Sequence, residues 1–209
     1  MAQNTSHAVM QQRHEAHDSL DDFPTPPWAT RALMEHVLLK CWFRKPIREQ
    51  TCWEPAANRG YMVRPLSEYF AKVTGTDVHD YGAGFEQNDF LMTRAGCDQP
   101  LPDWIITNPP FRLAAQFASH ALTQSSNVAL LVRSAFLEGA DRYKTLFRPD
   151  PPAFVAQFVE RVPMVKGRHD PDASTATSYA WVVWMRPEAS TRLVWIPPCR
   201  RQLQRADDV

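Results

Sequence analysis

The sequence predicts an α/β fold, a mostly parallel sheet with an antiparallel pair at one edge. Three observations lead to it. Short β-branched and aromatic runs alternate with helix-like segments through the first two-thirds of the chain, the pattern of βαβ units. The later runs, Phe154 to Val162 and Tyr179 to Met185, follow without a long helix between them, which implies antiparallel pairing. Finally, 209 residues with 44% hydrophobic and 22% charged content suit one globular domain, and there is no internal repeat or low-complexity tract.

Residues 1–20 are polar and aperiodic and read as a flexible tail, residues 21–198 as one domain, and residues 199–209 as a C-terminal tail. Phe23-Pro24-Thr25-Pro26-Pro27-Trp28 is a stiff lead-in to a helix that Thr25 can cap, with Leu33, Val37 and Leu38 on its apolar face. Thr51 to Trp53 is a short buried strand ended by Glu54-Pro55. Tyr61 to Phe70 reads as a helix strained by Pro65. Val73 to Asp77 and Trp104 to Thr107 read as strands, Phe111 to Leu122 as a helix, and Asn127 to Arg133 as a continuous apolar strand.

Composition narrows the function. No apolar run approaches the roughly 18 residues of a membrane span, and the first 20 residues lack the apolar core of a secretory signal. Four scattered cysteines and scattered histidines argue against a zinc site or a disulfide framework and fit a cytoplasmic protein without a metal. The formal net charge of zero hides a gradient: residues 1–104 carry 10 basic and 14 acidic side chains, residues 105–209 carry 13 and 9. Basic residues gather between Arg142 and Arg168, within the stretch 139–178, which reads as a substrate-facing insertion for a polyanion.

In an open parallel sheet, ligands bind beyond the carboxyl ends of the strands. The residues that fall there are Glu54-Pro55-Ala56-Ala57-Asn58-Arg59-Gly60, Asp77, Asp89-Phe90 and Asn108-Pro109-Pro110-Phe111. The first turn has one glycine where the dinucleotide fingerprint has three, so it suits a ligand without phosphates at the backbone. Asp77 follows Glu54 by 23 residues, near the spacing at which a carboxylate reaches a ribose diol, and it also reads as a strand-end cap. In Asn108-Pro109-Pro110-Phe111 two prolines stiffen a turn and remove two donors. The remaining acceptors, the Asn108 side-chain oxygen and a proline carbonyl, lie beside the Phe111 ring and suit a planar heterocycle bearing an exocyclic amine.

Ile106-Thr107-Asn108-Pro109-Pro110-Phe111 resembles the catalytic motif of S-adenosylmethionine-dependent amino methyltransferases, above all N6-adenine DNA methyltransferases, and among them the small bacteriophage and prophage type. The lead-in Phe23 to Trp28 ahead of Trp53-Glu54-Pro55-Ala56-Ala57 resembles the family's methionine-end motif and cofactor loop, and the likeness covers about residues 22–185. It implies a Rossmann-like class I methyltransferase, with a seven-stranded sheet and helices on both faces. It also implies that Thr25 and Pro26 border the methionine of S-adenosylmethionine. Glu54, Pro55, Ala56, Asn58 and Gly60 would hold methionine and sugar, Asp77 the ribose, and Asp89 with Phe90 the adenine ring. The chain departs from the family at Asn58-Arg59, where relatives keep another small residue.

The same resemblance implies methyl transfer to adenine N6 in DNA. The base would be flipped out, stacked on Phe111 and on Tyr179 (which also reads as a buried strand residue), with Arg142, Lys144, Arg148, Lys166 and Arg168 on phosphates. Asn108, an amide, orients the amine and is not a base. The stretch from Arg133 to Tyr179 is too short for a separate target-recognition region, so specificity is expected to be relaxed. Alternative acceptors are RNA bases, cytosine N4 and a protein glutamine amide. A nucleic-acid-binding protein without activity is the alternative outside the enzymes.

Overall fold

The computed structural model describes residues 21–94, 96, 101–187 and 190–208. The expected tail over residues 1–20 lies outside the described residues. The strands are β1 (Thr51–Glu54), β2 (Lys72–Asp77), β3 (Glu86–Gln87), β4 (Trp104–Thr107), β5 (Asn127–Arg133), β6 (Phe154–Phe158), β7 (Tyr179–Met185) and β8 (Arg192–Ile196). They form one sheet in the order β3-β2-β1-β4-β5-β7-β6-β8. β7 runs antiparallel to both its neighbours, and β8 is parallel to β6.

This corrects the expected seven strands with an antiparallel edge pair. There are eight, and the one reversed strand, β7, sits inside the sheet between β5 and β6. The chain leaves β5, crosses over to lay down β6 in the same direction one place farther out, and returns through the gap as β7. β8, unread in the sequence because its burial alternates only weakly, closes that edge.

Alternation along the strands sorts side chains to two cores. Trp104 and Ile106 of β4, Ala129 and Leu131 of β5, and Trp181 and Val183 of β7 pack on one face. They meet Trp28, Ala29, Ala32 and Leu33 of α1 (Pro27–His36). Ile105, Val128, Leu130, Val182 and Trp184 face the other way, onto α3 (Ala114–Gln124) through Phe117, Ala118 and Ala121. Burial on both faces explains why β4, β5 and β7 read as unbroken apolar runs.

Local corrections follow from capping and proline chemistry. Pro26, not Thr25, occupies the N-cap of α1, and no side chain caps it. Pro65 lacks the N–H that would bond Tyr61, so the expected helix over Tyr61 to Phe70 contracts to α2 (Val63–Leu66) with irregular turns beyond. The stretch 139–178 is not an insertion: it holds α4 (Ala140–Arg142) and β6, and β6 is an inner strand paired on both edges. Residues 199–208 are docked. They carry α5 (Arg200–Leu203), and Asp208 is buried against Arg31, which also bonds Glu68. No helix among the described residues is long and apolar enough to cross a membrane.

Candidate active site

Parallel register brings the carboxyl ends of β1, β2 and β4 to one rim: Glu54 pairs with Gly75, two residues short of Asp77, and Trp53 pairs with Ile105. A cavity of about 210 Å³ opens there. Thr25, Glu54, Pro55, Ala56, Asn58, Asp77, Asp89, Phe90, Asn108 and Pro110 line it, so most of the residues expected at a site come together. Pro26, Gly60, Pro109 and Phe111 are off its wall. The wall also includes Asp21, Phe23, Tyr61 and Tyr81, which sequence reasoning missed.

The β1–α2 turn is built around two carboxyl groups. Glu54 is 1% exposed. Its Oε1 accepts the Ala56 N–H at 3.0 Å, while Oε2 is buried without a hydrogen-bond partner. Burial pushes its carboxyl up to about 8, so the group is largely protonated at neutral pH. Asp77 accepts the Asn58 N–H through Oδ2 at 2.8 Å and the His79 N–H through Oδ1 at 2.9 Å. Burial raises its carboxyl too, against those two bonds. Asn58 takes the left-handed conformation, φ 52°, which asparagine tolerates better than most residues. Gly60, at φ +83°, has a structural part: a Cβ there would stand 3.0 Å from the Phe85 ring.

Asp89 caps the 3₁₀ turn Phe90–Met92, its Oδ1 accepting the Leu91 N–H at 3.0 Å. Phe90 packs edge-on to Trp53, with ring centroids 5.1 Å apart, and borders the cavity from the α3 core. Across the cavity mouth the Arg59 guanidinium lies 4.9 Å from the Tyr81 ring centre.

Asn108 closes the other end. Its Nδ2 donates to the Phe23 carbonyl at 3.1 Å and approaches Met164 Sδ at 3.6 Å. A carbonyl only accepts, so the amide orientation is set and Oδ1 is left buried and unpartnered. The Phe111 N–H donates to Asp21 Oδ2 at 2.7 Å. The Phe111 ring is not an open platform for a base: Arg133 covers it with its guanidinium carbon 3.9 Å from the ring centre, and Phe23 lies at 5.1 Å.

The expected phosphate contacts separate. Arg142 is turned inward, donating to the Phe136 carbonyl at 2.5 Å and to the Glu138 carbonyl, over the Phe136 ring. Lys144 and Arg148 are exposed on a segment whose Leu146 packs in the α3 core. Lys166 and Arg168 are exposed on the 159–178 loop, where Arg168 pairs with Asp170. That loop reaches the rim: the Gly167 N–H donates to the Asp22 carbonyl at 2.8 Å. Tyr179 is buried at 4% exposure within the α1 core and offers no face to a base.

No protein-family model matches the chain, and no curated protein sequence matches it significantly. Solved structures do. A type I restriction-modification system methyltransferase subunit from Streptococcus thermophilus shares 10% identity over 83% of this chain and 48% of its own, with a TM-score of 0.57. A protein described as a modification subunit of a type I restriction enzyme from Vibrio vulnificus YJ016 shares 15% over 87% and 48%, with a TM-score of 0.58. A protein described as a hemolysin from Streptococcus thermophilus shares 12% over 85% and 70%, with a TM-score of 0.51. The chain spans about half the length of the first two. At these identities the likeness is one of fold: the chain has the Rossmann-like architecture of these methyltransferase subunits.

Proposed function

We propose that the protein is an S-adenosylmethionine-dependent methyltransferase acting on the N6 amine of adenine in DNA, with relaxed or short sequence specificity. The observation that carries this is the Asn108 amide: held by the Phe23 carbonyl, it keeps a buried acceptor without a partner, on a residue that lines the same cavity as Glu54 and Asp77. A buried unsatisfied acceptor costs about 1–3 kcal/mol unless a donor arrives, and an exocyclic amine is such a donor. The fold shared with subunits named for restriction-modification methyl transfer supports the same reading and favours DNA.

The donor set fits the cofactor. Glu54 Oε2 is orphaned and its carboxyl is held near 8, so an arriving cationic group would favour its ionised form. Asp77 keeps lone pairs beyond its two backbone bonds for a ribose diol. Asp89, Phe90 and Tyr81 suit a heterocycle. Bound S-adenosylmethionine would supply a methyl group on a positively charged sulfur. Asn108 Oδ1 accepts a hydrogen of the amine, which favours a pyramidal nitrogen with its lone pair turned to the donor. Catalysis then rests on orientation and fixed dipoles. An amide cannot take up the proton near neutral pH, so it leaves to solvent. Phe23, the aromatic on the cavity wall whose carbonyl holds Asn108, replaces Phe111 as the surface for the flipped base.

Incubation with methyl-tritiated cofactor and, separately, DNA, RNA and protein tests the proposal. Nucleoside analysis of the DNA is expected to place the label in N6-methyladenine at many sequence contexts. Label in protein alone, or in no acceptor, overturns it.

A further inference from the structure

The surface around Phe111 does something the cavity does not explain. Arg133 is the last residue of β5 and is exposed, yet its guanidinium carbon lies over the Phe111 ring, 3.9 Å from the ring centre. Across the register from it stands Tyr179, whose ring centre is 6.4 Å from that of Phe111. The next residue along, Ser134, donates its N–H to the Ser178 carbonyl at 2.9 Å, and the Ser178 hydroxyl accepts from Arg161. Two exposed arginines, from β5 and from the 159–178 loop, therefore reach the same end of the sheet beside the Asn108 corner. Asp21, the acid at that corner, is engaged by the Phe111 N–H at 2.7 Å.

We propose that Arg133 and Arg161 clamp the phosphodiester backbone of the strand that delivers the acceptor base, with Phe111 as the platform that holds Arg133 in place. A ring covers the face of a guanidinium and leaves its in-plane N–H groups directed outward, the geometry that binds phosphate through a fork. Holding the side chain on Phe111 beforehand lowers the ordering cost of binding. The clamp rests on the reading of this site as a nucleic-acid methyltransferase. It replaces Arg142, whose Nη1 is turned onto two backbone carbonyls.

Fluorescence anisotropy of a labelled DNA duplex across a salt series tests it, with cofactor titration and melting temperature as controls for folding. Arg133→Ala and Arg161→Ala are each expected to weaken binding about tenfold and to lower the slope of log affinity against log salt by about one. Arg133→Lys keeps the charge and so the slope, but loses affinity because an ammonium neither stacks nor forks. Phe111→Leu removes the platform while the backbone N–H of residue 111 can still bond Asp21, lowering affinity at unchanged slope. Alanine variants with wild-type affinity and slope on a duplex that the wild type binds overturn the clamp and leave the reaction untouched. A wild-type protein that binds no DNA overturns the functional reading, and the clamp with it.

Discussion

The Nδ2 atom of Asn108 stands 3.1 Å from the carbonyl oxygen of Phe23, 85 residues earlier in the chain, and that contact decides which way the amide faces. With the amino group committed, Oδ1 is the acceptor left without a partner, the one the proposed reaction uses. We expect Asn108→Ala to lower methyl transfer by at least 10²–10³-fold, the order lost when one preorganised electrostatic partner is removed. Cofactor affinity by calorimetry should stay within a few-fold, because the Glu54 and Asp77 contacts are intact. Normal turnover in the Asn108→Ala protein would falsify the role given to this residue.

Glu54 ties stability to pH. Burial moves its carboxyl from 4.5 to about 8 in the folded chain. The folded state thus holds a proton that the unfolded state has lost throughout the interval between those values. Stability from this group is fully present below about 4.5 and is lost as pH rises toward about 8, at up to about 1.4 kcal/mol per pH unit. His169 titrates in the opposite sense, its imidazole lowered by burial, so the comparison must isolate Glu54. The melting temperature of the cofactor-free wild type should fall relative to Glu54→Gln as pH rises across this interval, and Glu54→Gln should bind cofactor poorly. Parallel curves for the two proteins would refute the protonated carboxyl.

Gly75 and Phe85 show why a central β2 residue has no side chain. A Cβ on Gly75 would lie 2.8 Å from two Phe85 ring atoms and 3.0 Å from Val63 Cγ2. The same ring approaches Gly60, so it wedges the β1–α2 turn against β2. Gly75→Ala is expected to cost about 1–3 kcal/mol through overpacking. Adding Phe85→Leu should recover part of that cost, a coupling that urea melts of the two single variants and the double variant will measure. Strict additivity would mean that the ring does not fill this space.

Strong local patterns made much of this legible in the sequence. β5 and β7 were read to the residue because burial on both faces leaves an uninterrupted apolar run. The rim residues Glu54, Asp77 and Asn108 followed from the rule that loops after parallel strands carry the site. What was missed depends on partners distant in the chain. β8 exposes Leu193 and Trp195 and buries Ile196, so its pattern emerges only once β6 is beside it. Residues 199–208 look like a polar tail until Arg31 supplies a buried partner for Asp208. Arg142 and Lys144 are alike as cations in a sequence, and only the fold turns the first onto backbone carbonyls. Asp21 carried no signal of its own and Phe23 only that of the lead-in it opens, since their contacts are to Phe111 and Asn108.

Asp22 joins the two halves of the site. Its Oδ1 accepts from Asn58 Nδ2 at 2.7 Å and from Arg59 Nη1 at 3.0 Å, and its carbonyl accepts the Gly167 N–H. On either side, Asp21 holds Phe111 and Phe23 holds Asn108, so three successive residues stitch the β1–α2 turn to the Asn108 corner. The Arg59 ion pair is partly exposed, with 37% of the arginine side chain accessible, so as a pair it is worth only about 0.2–1 kcal/mol. Its larger effect should fall on the site. Asn58 needs a held side chain to keep its left-handed backbone and the N–H directed at Asp77. We therefore expect Asp22→Ala to raise the KM for cofactor on the order of tenfold, the scale of a small misplacement, with little change in melting temperature. Arg59→Ala should do less, because Asn58 keeps its own bond to Asp22. If the two variants shift KM equally, the ion pair rather than the Asn58 contact sets the turn, and the stitch must be reassigned to Arg59.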